Sequence, residues 1–490
     1  MSTAATHEIT RDDATDPSGP NGRIPEFRLI GRGHRAVEQA GRPDARLYSA
    51  TEFLDRAERI SPAFWQDTVL PLLRRSASEQ VASRLTAAAR RARANSRLYG
   101  VRTPGSAEVA TEALFDGHLV RPREEFRSRA GVHRQLQLLR QSRARLRLGL
   151  PLFSRKPVSP VKNRGPYPDL ADIASLLRCY ELAAVLSRSY DEEVEFLVFA
   201  DGVKYRRACG TGLPRVRDYQ EALRFWCEQL GIGGLVKVVD YEEAVRSALG
   251  GEATDRREER YRAYCALLRS GHDGLFDPRD PAGSLAAVRQ ASAEGEQLDF
   301  TFRSIASSVH YRAEDLGARL ARHEDEASHR YLRYLAGLLE SGPSADALHA
   351  ELRAEAWQAA IRYVAISLTD RELDVWSVIN PAGVKLTTHG KPGEIEIRPT
   401  RSRYLSMTAQ HCTGGIKRTP TGNKVTYSYR LEYESRGDVP LLLDPPAGDR
   451  AAGPLPAPLR GMLEAQQPIC YLTPDDGPAW ETLGECIVDF

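Results

Sequence analysis

Residues able to do chemistry gather late in the chain. In the run Asn380-Pro-Ala-Gly-Val-Lys-Leu-Thr-Thr-His389, the two-residue period of a strand puts Lys385, Thr387 and His389 on one face. A cation, a hydroxyl and an imidazole in one row suit an anionic substrate that must also exchange protons; a solvated strand face is the alternative. The turn Gly390-Lys391-Pro392-Gly393 and a second short strand, Glu394 to Arg398, predict a β-hairpin here. Shortly after it, His411 precedes Gly414-Gly415 and is either a general acid/base or a loop histidine satisfied by water.

Two earlier clusters carry cations. Ser154 to Asn163 contains Lys156 and Lys162 and reads equally as a solvated linker. Asp201-Gly202-Val203-Lys204 stands at the carboxyl end of the apolar run Val194–Ala200. Open α/β sheets bind ligands at that edge, although an ordinary turn would look the same.

Several common chemistries lack their residues. There is no Gly-x-x-x-x-Gly-Lys-Ser/Thr loop, and no Gly-x-Gly-x-x-Gly follows the Val194 strand. His323 and His329 lack the spacing of a helical zinc pair, and no metal site is expected. The seven cysteines are scattered with no Cys-x-x-Cys. Cys179 and Cys227 fall on apolar helix faces; Cys412, beside His411, leaves a nucleophilic role open.

The elements that must position these residues show an α/β rhythm. Asp169 can cap a helix that carries Leu170, Ile173, Leu177, Tyr180 and Ala184 on one face. Val194–Ala200 and Leu235–Val239 read as strands, joined by a helix capped at Asp218 and ended by Gly231. Strand, crossover helix and strand predict parallel neighbours in one sheet. Val425 to Tyr433 alternates strictly and predicts an antiparallel strand with an aromatic face. The expected organisation is a disordered tail over 1–23, a helical, Arg-rich extension over 24–150 and an α/β domain over 151–435. A Pro/Ala-rich loop and a terminal segment over 436–490 complete it. Glu124 to Leu148 reads as a basic helix, since nine arginines face two glutamates between Val120 and Leu150.

The 490 residues are 41% hydrophobic and 27% charged, as in a globular protein, and the net charge of +2 gives no argument for nucleic acid. No apolar run is long enough for a membrane span, and no leader pattern opens the chain, so a cytoplasmic location is expected.

The order of motifs carries a resemblance. Phe153-x-x-Lys156, then Pro168-Asp169-Leu170 opening a helix, then a strand ending in Asp201-Gly202, resembles the isonitrile (isocyanide) synthase family. That family includes the pyoverdine-cluster enzymes and fungal dityrosine spore-wall proteins. Gly383 to His389 is similar to its Arg-Leu-Ser-Ile-His strand, with Lys385 for Arg, and Thr408-Ala409-Gln410-His411 to its Thr-Pro-Trp-His segment. The family's Ser-Asp-Gly-Arg reads Ala200-Asp201-Gly202-Val203 here, with Lys204 one place on. The likeness runs in order from about Pro151 to Lys417.

The resemblance implies a Rossmann-like α/β fold. It also implies an enzyme without metal or redox cofactor that converts an amino acid amine to an isonitrile, with ribulose 5-phosphate as carbon donor. Carried over residue by residue, it implies His411, His389 and Asp201 as catalytic groups. Lys156, Lys162, Lys204, Lys385 and Thr387 would bind substrate. Two other classes stay open: another condensation or lyase reaction on an amine and a sugar phosphate, and a non-catalytic protein whose basic N-terminal helices grip RNA or an acidic partner.

Overall fold

The computed structural model describes residues 37–121, 127–159, 161–270, 305–306, 332–333, 347–388, 393–398, 409–420, 422–444, 455–473 and 487–489. Helix α1 (Ala50–Arg56) and strand β1 (Glu58–Ile60) precede the long helix α2 (Leu70–Ala94). Then follow α3 (Ser106–Leu114), β2 (Val120–Arg121), α4 (Arg129–Gln141), β3 (Leu146–Leu152), α5 (Leu170–Ser189) and β4 (Val194–Ala200). Helices α6 (Gly202–Cys209) and α7 (Leu213–Gln229) lead to β5 (Val236–Asp240) and α8 (Tyr241–Ser270), which kinks at Gly250, where φ is +74°. The later part holds α9 (Ala347–Glu372), α10 (Val375–Ile379), β6 (Val384–Thr387), β7 (Ile395–Ile397), β8 (Thr413–Thr419) and β9 (Gly422–Ser428). It closes with α11 (Arg430–Arg436), β10 (Val439–Leu443), α12 (Ala457–Glu464), β11 (Cys470–Thr473) and β12 (Ile487–Asp489).

The first sheet has the order β2-β7-β6-β3-β4-β5 and is parallel except for β2 at its edge. The expected parallel pair is present, with Phe196 opposite Val236 and Ala200 opposite Asp240, and α7 forms the crossover. Its start is earlier than the Asp218 cap, because Gly212-Leu213-Pro214 supplies an extended cap residue and a proline in the first turn. Chain order runs outward from β3 through β4 to β5, then returns to place β6 on the other side of β3. The strand order therefore reverses between β3 and β6, the position where open α/β sheets leave a crevice at their carboxyl edge.

Strand β3 corrects two expectations. The helix predicted through Leu148 stops at Gln141, and Arg143 takes a left-handed φ of +50° before the strand begins. Leu146, Leu148, Leu150 and Leu152 then alternate into the core, all at most 2% exposed. The boundary placed near Leu150 thus falls inside the central strand, and helices α2 and α3 pack on α5 in the same continuous core. Helix α5 is apolar around most of its circumference, which fits a helix covered on every side. It touches β4 on one side and β8 on the other.

The second sheet, β1-β10-β11-β8-β9-β12, also departs from expectation. The 436–490 region predicted as loop supplies β10, α12 and β11, and Leu441, Leu442 and Leu443 are buried. Val425–Tyr433 is strand only to Ser428; Leu431 and Tyr433 lie on the short helix α11, where both are buried although they stand two residues apart. The predicted hairpin is not one. β6 and β7 run parallel, with Leu386 opposite Ile395, while β7 pairs antiparallel with β2. Alternation looks the same in either direction, so the sequence pattern could not set the sense of the pair.

Candidate functional site

Strand β3 leaves the sheet at the reversal point. Phe153, fully buried with φ +63°, turns the chain toward the carboxyl edge of β4. A Cβ at Gly202 would lie 1.9 Å from the Ser154 carbonyl oxygen, so only glycine lets the two segments approach this closely. The loop delivers Lys156 to the N-terminus of α5. Its ammonium lies 2.8 Å from Asp169 Oδ1 and 2.6 Å from Asp172 Oδ2, with none of the side chain exposed.

Asp169 and Asp172 form a capping box at that helix start. Asp169 Oδ1 accepts from the Ala171 N–H at 2.8 Å, and Asp172 Oδ2 accepts from the Asp169 N–H at 2.9 Å. Asp172 Oδ1 accepts from the Tyr219 hydroxyl at 2.7 Å. The Thr413 hydroxyl donates to Asp169 Oδ2 at 2.5 Å. β8 comes this close because Gly414 lacks a side chain: a Cβ there would meet the Ala171 nitrogen at 2.6 Å. Just before Thr413, the turn Ala409–His411 rests on the earlier loop, where Asn163 Nδ2 donates to the Gln410 carbonyl at 3.3 Å. His411 and Lys162 are both buried, Lys162 with its ammonium 5.8 Å above the Tyr429 ring.

One ammonium faces two carboxylates, and burial decides how their protons are held. Burial opposes the charge on Lys156, but Asp169 and Asp172 outweigh it and raise its pKa. Burial, helped by neighbouring Asp172 and opposed by Lys156, pushes Asp169 up to about 6. A carboxyl group with that affinity can both give and take a proton near neutral pH. Burial pushes the Cys412 thiol well above its ordinary range, which removes the thiolate a nucleophile needs. Tyr219 is likewise held protonated by burial and by Asp172, so it stays a donor.

The remaining predicted residues go elsewhere. Lys204 Nζ lies 2.7 Å from Asp370 Oδ2 and 4.3 Å above the Tyr241 ring. Asp370 also accepts from the Tyr241 hydroxyl at 2.8 Å and pairs with Arg257, which binds Glu242 through two nitrogens at 2.7 Å. Asp201, which follows β4, contributes to the field around Lys204 and Tyr205. Lys385 is paired with Glu394 at 2.7 Å and sits over Trp376 of α10. That is the face of the sheet opposite α5, so Lys385 does not join Lys156 as expected. Thr387 is buried at the end of β6, across the reversal point from β3. His389 lies outside the described residues.

Sequence reasoning used Asp169 only as a cap and missed Asp172, Tyr219 and Thr413. The capping box is legible as Asp-x-x-Asp, but Tyr219 stands at helical spacing with Ala222, Leu223 and Trp226 and so reads as a core residue. Arginines of the N-terminal region are largely bound internally: Arg84 pairs with Glu181, Arg91 with Asp116, Arg129 with Glu112 and Arg145 with Glu195. Among the described residues no group of three or more His, Cys, Asp or Glu side chains is arranged to hold a metal ion, and no helix is long and apolar enough to cross a membrane.

A profile of the family described as pyoverdine/dityrosine biosynthesis protein matches residues 137–371. That stretch holds Lys156, Lys162, Asp169, Asp172, Asp201, Lys204 and Tyr219; His411 and the β6 residues lie beyond it. The crystal structure of the PvcA protein from Pseudomonas aeruginosa is similar over 68% of this chain and 96% of that one, at 18% identity and a TM-score of 0.46. No curated protein matches the chain.

Proposed function

We propose that the chain is an isonitrile synthase-like enzyme of specialised metabolism, joining an amino acid amine to a carbon from ribulose 5-phosphate. The observation that carries this proposal is the buried Lys156–Asp169–Asp172–Tyr219 network at the sheet's reversal point, against which the His411 segment packs. A fully buried set of charges is costly to stability, and function is a common reason to keep one. Amine attack on a sugar ketone, loss of water and later elimination each move protons. Asp169, poised near neutrality, and His411 are the groups proposed to carry them. Lys156 pairs with Asp172, and Asp172 in turn orients Tyr219.

Lys162, brought to the same place, is proposed for the substrate's anionic end, with Thr387 and Asp201 flanking the crevice at the carboxyl edge; His389 stays a proposed proton-transfer group. Lys385 is left out because Glu394 neutralises it. The match to a biosynthetic family over residues 137–371 supports an enzyme. The basic-helix alternative has less support, since several N-terminal arginines, Arg84, Arg91 and Arg129 among them, are paired with buried acids.

The test is incubation with a panel of amino acids and isotopically labelled ribulose 5-phosphate, read by mass spectrometry. The expected product has gained one labelled carbon and lost two hydrogens. A labelled adduct that keeps those hydrogens would assign another condensation on the same substrates. No labelled product from any amine would overturn the proposal.

A further inference from the structure

A second feature stands on the far side of α7. A cavity of about 710 Å³ opens beside the carboxyl ends of β4 and β5, between α6 and α7 on one wall and α8 and α9 on the other. Its volume lies within the range of roughly 300–1,000 Å³ found for small-molecule sites. Helix α7 separates it from the Asp169 cluster: Tyr219 turns to Asp172, while Arg217, Gln220, Glu221 and Arg224 turn to the cavity.

The charges around the cavity are of two kinds. Lys204 and Arg257 are already neutralised by Asp370 and Glu242; Arg257 locks α8 to α9, and Lys204 ties α6 to α9. Four other guanidinium groups are not. Arg206 and Arg217 have no ion pair or side-chain hydrogen bond among the described residues. Arg224 and Arg246 each use Nε on a carbonyl oxygen, of Val238 at 3.1 Å and of Glu242 at 3.4 Å, and neither has a carboxylate partner among the described residues. Of the lining acids, Asp240 is engaged by Gln220 and by the Glu243 N–H, and Glu258 by Arg262. Glu221 and Glu243 stay unpaired among the described residues, even though Glu221 stands one helical turn from Arg217.

Four open guanidinium groups on three helices therefore face two open carboxylates. Planar, multidentate donors arriving from different directions suit a tetrahedral polyanion better than one carboxylate. We infer that this cavity binds a phosphate-bearing ligand of nucleotide size. The arginines would hold the phosphate, and Glu221 and Glu243 would accept from the ligand's hydroxyl or amino groups. The site is separate from the Asp169 cluster and does not depend on the proposed reaction.

The experiment is calorimetric titration of the full chain at low ionic strength with inorganic pyrophosphate, ATP and ribulose 5-phosphate in turn. At least one should bind. Arg217→Glu and Arg206→Gln should each weaken that binding by about tenfold or more, while Arg75→Gln, on the exposed side of α2, should bind as the parent does. Arg217 is exposed, so its variant should fold, which circular dichroism would check. ATP binding well above pyrophosphate would assign a nucleotide; ribulose 5-phosphate binding above both would assign a sugar phosphate. Absence of heat with all three probes, or equal affinity in parent and arginine variants, would overturn the inference.

Discussion

The Asp169 cluster and the Arg257 cluster are built from the same residue types and behave in opposite ways. In the first, one ammonium serves two carboxylates in a dry site, so negative charge is in excess and Asp169 gains affinity for a proton. In the second, Asp370 sits between Lys204 and Arg257, and those two cations hold its carboxyl below the usual range against the effect of burial. Burial raises both carboxyls; at Asp169 it prevails, with Asp172 beside it, and at Asp370 two cations overcome it. The first arrangement suits proton transfer; the second braces α6, α8 and α9 beside an open cavity.

The largest way to break the contrast is to remove the cations. Lys156→Met would leave two buried carboxylates without a counter-ion and should cost about 3–5 kcal/mol. Arg257→Met leaves Lys204 with Asp370 and should cost less, roughly 1.5–3 kcal/mol. Urea unfolding of both variants checks the order; equal losses would show that the two clusters are equivalent supports.

His411→Gln tests whether the first cluster does chemistry. If it transfers the proton as proposed, kcat should fall by ~10²–10⁴-fold with little change in melting temperature. A well-folded variant with parental turnover would reduce the cluster to a structural one.

The two carboxyls should also respond to pH with opposite sign. Asp169 binds its proton more tightly folded than unfolded, so its contribution to stability is present at low pH and is lost as pH rises from about 3.8 to 6. Asp370 binds its proton less tightly folded, so its contribution is present above the ordinary carboxyl range and lost as pH falls. Unfolding free energies of Asp169→Asn and Asp370→Asn, measured against the parent from about pH 2 to 7, should diverge in opposite directions, Asp169 across roughly pH 4 to 6 and Asp370 below about pH 4. Parallel curves would show that the charge balance is not as described.

The smallest effect is expected at Lys385. Its pair with Glu394 is partly exposed, and Lys385→Ala should change stability by about 0–1 kcal/mol and leave the KM for the sugar phosphate unchanged. A selective rise in that KM would return Lys385 to the site.

The sequence by itself determined the local parts. The parallel pair of β4 and β5 with its crossover helix followed from apolar runs alternating with helical spacing, and the cap at Asp169 followed from its place before the periodic run. Local pattern also held the β3 alternation at Leu146, Leu148, Leu150 and Leu152, which the basic stretch around it obscured. Only the tertiary structure decided the sense of β6 against β7, because side-chain alternation is the same for parallel and antiparallel pairs. Only it decided which lysine meets which acid. Lys156 and Lys385 look alike in sequence, yet one lies between two buried aspartates and the other beside a partly exposed glutamate on the opposite sheet face. Thr413 reaches Asp169 across 244 positions of chain because Gly414 lets β8 press against the start of α5. Such partners depend on how distant segments pack, which the periodicity of neither segment encodes.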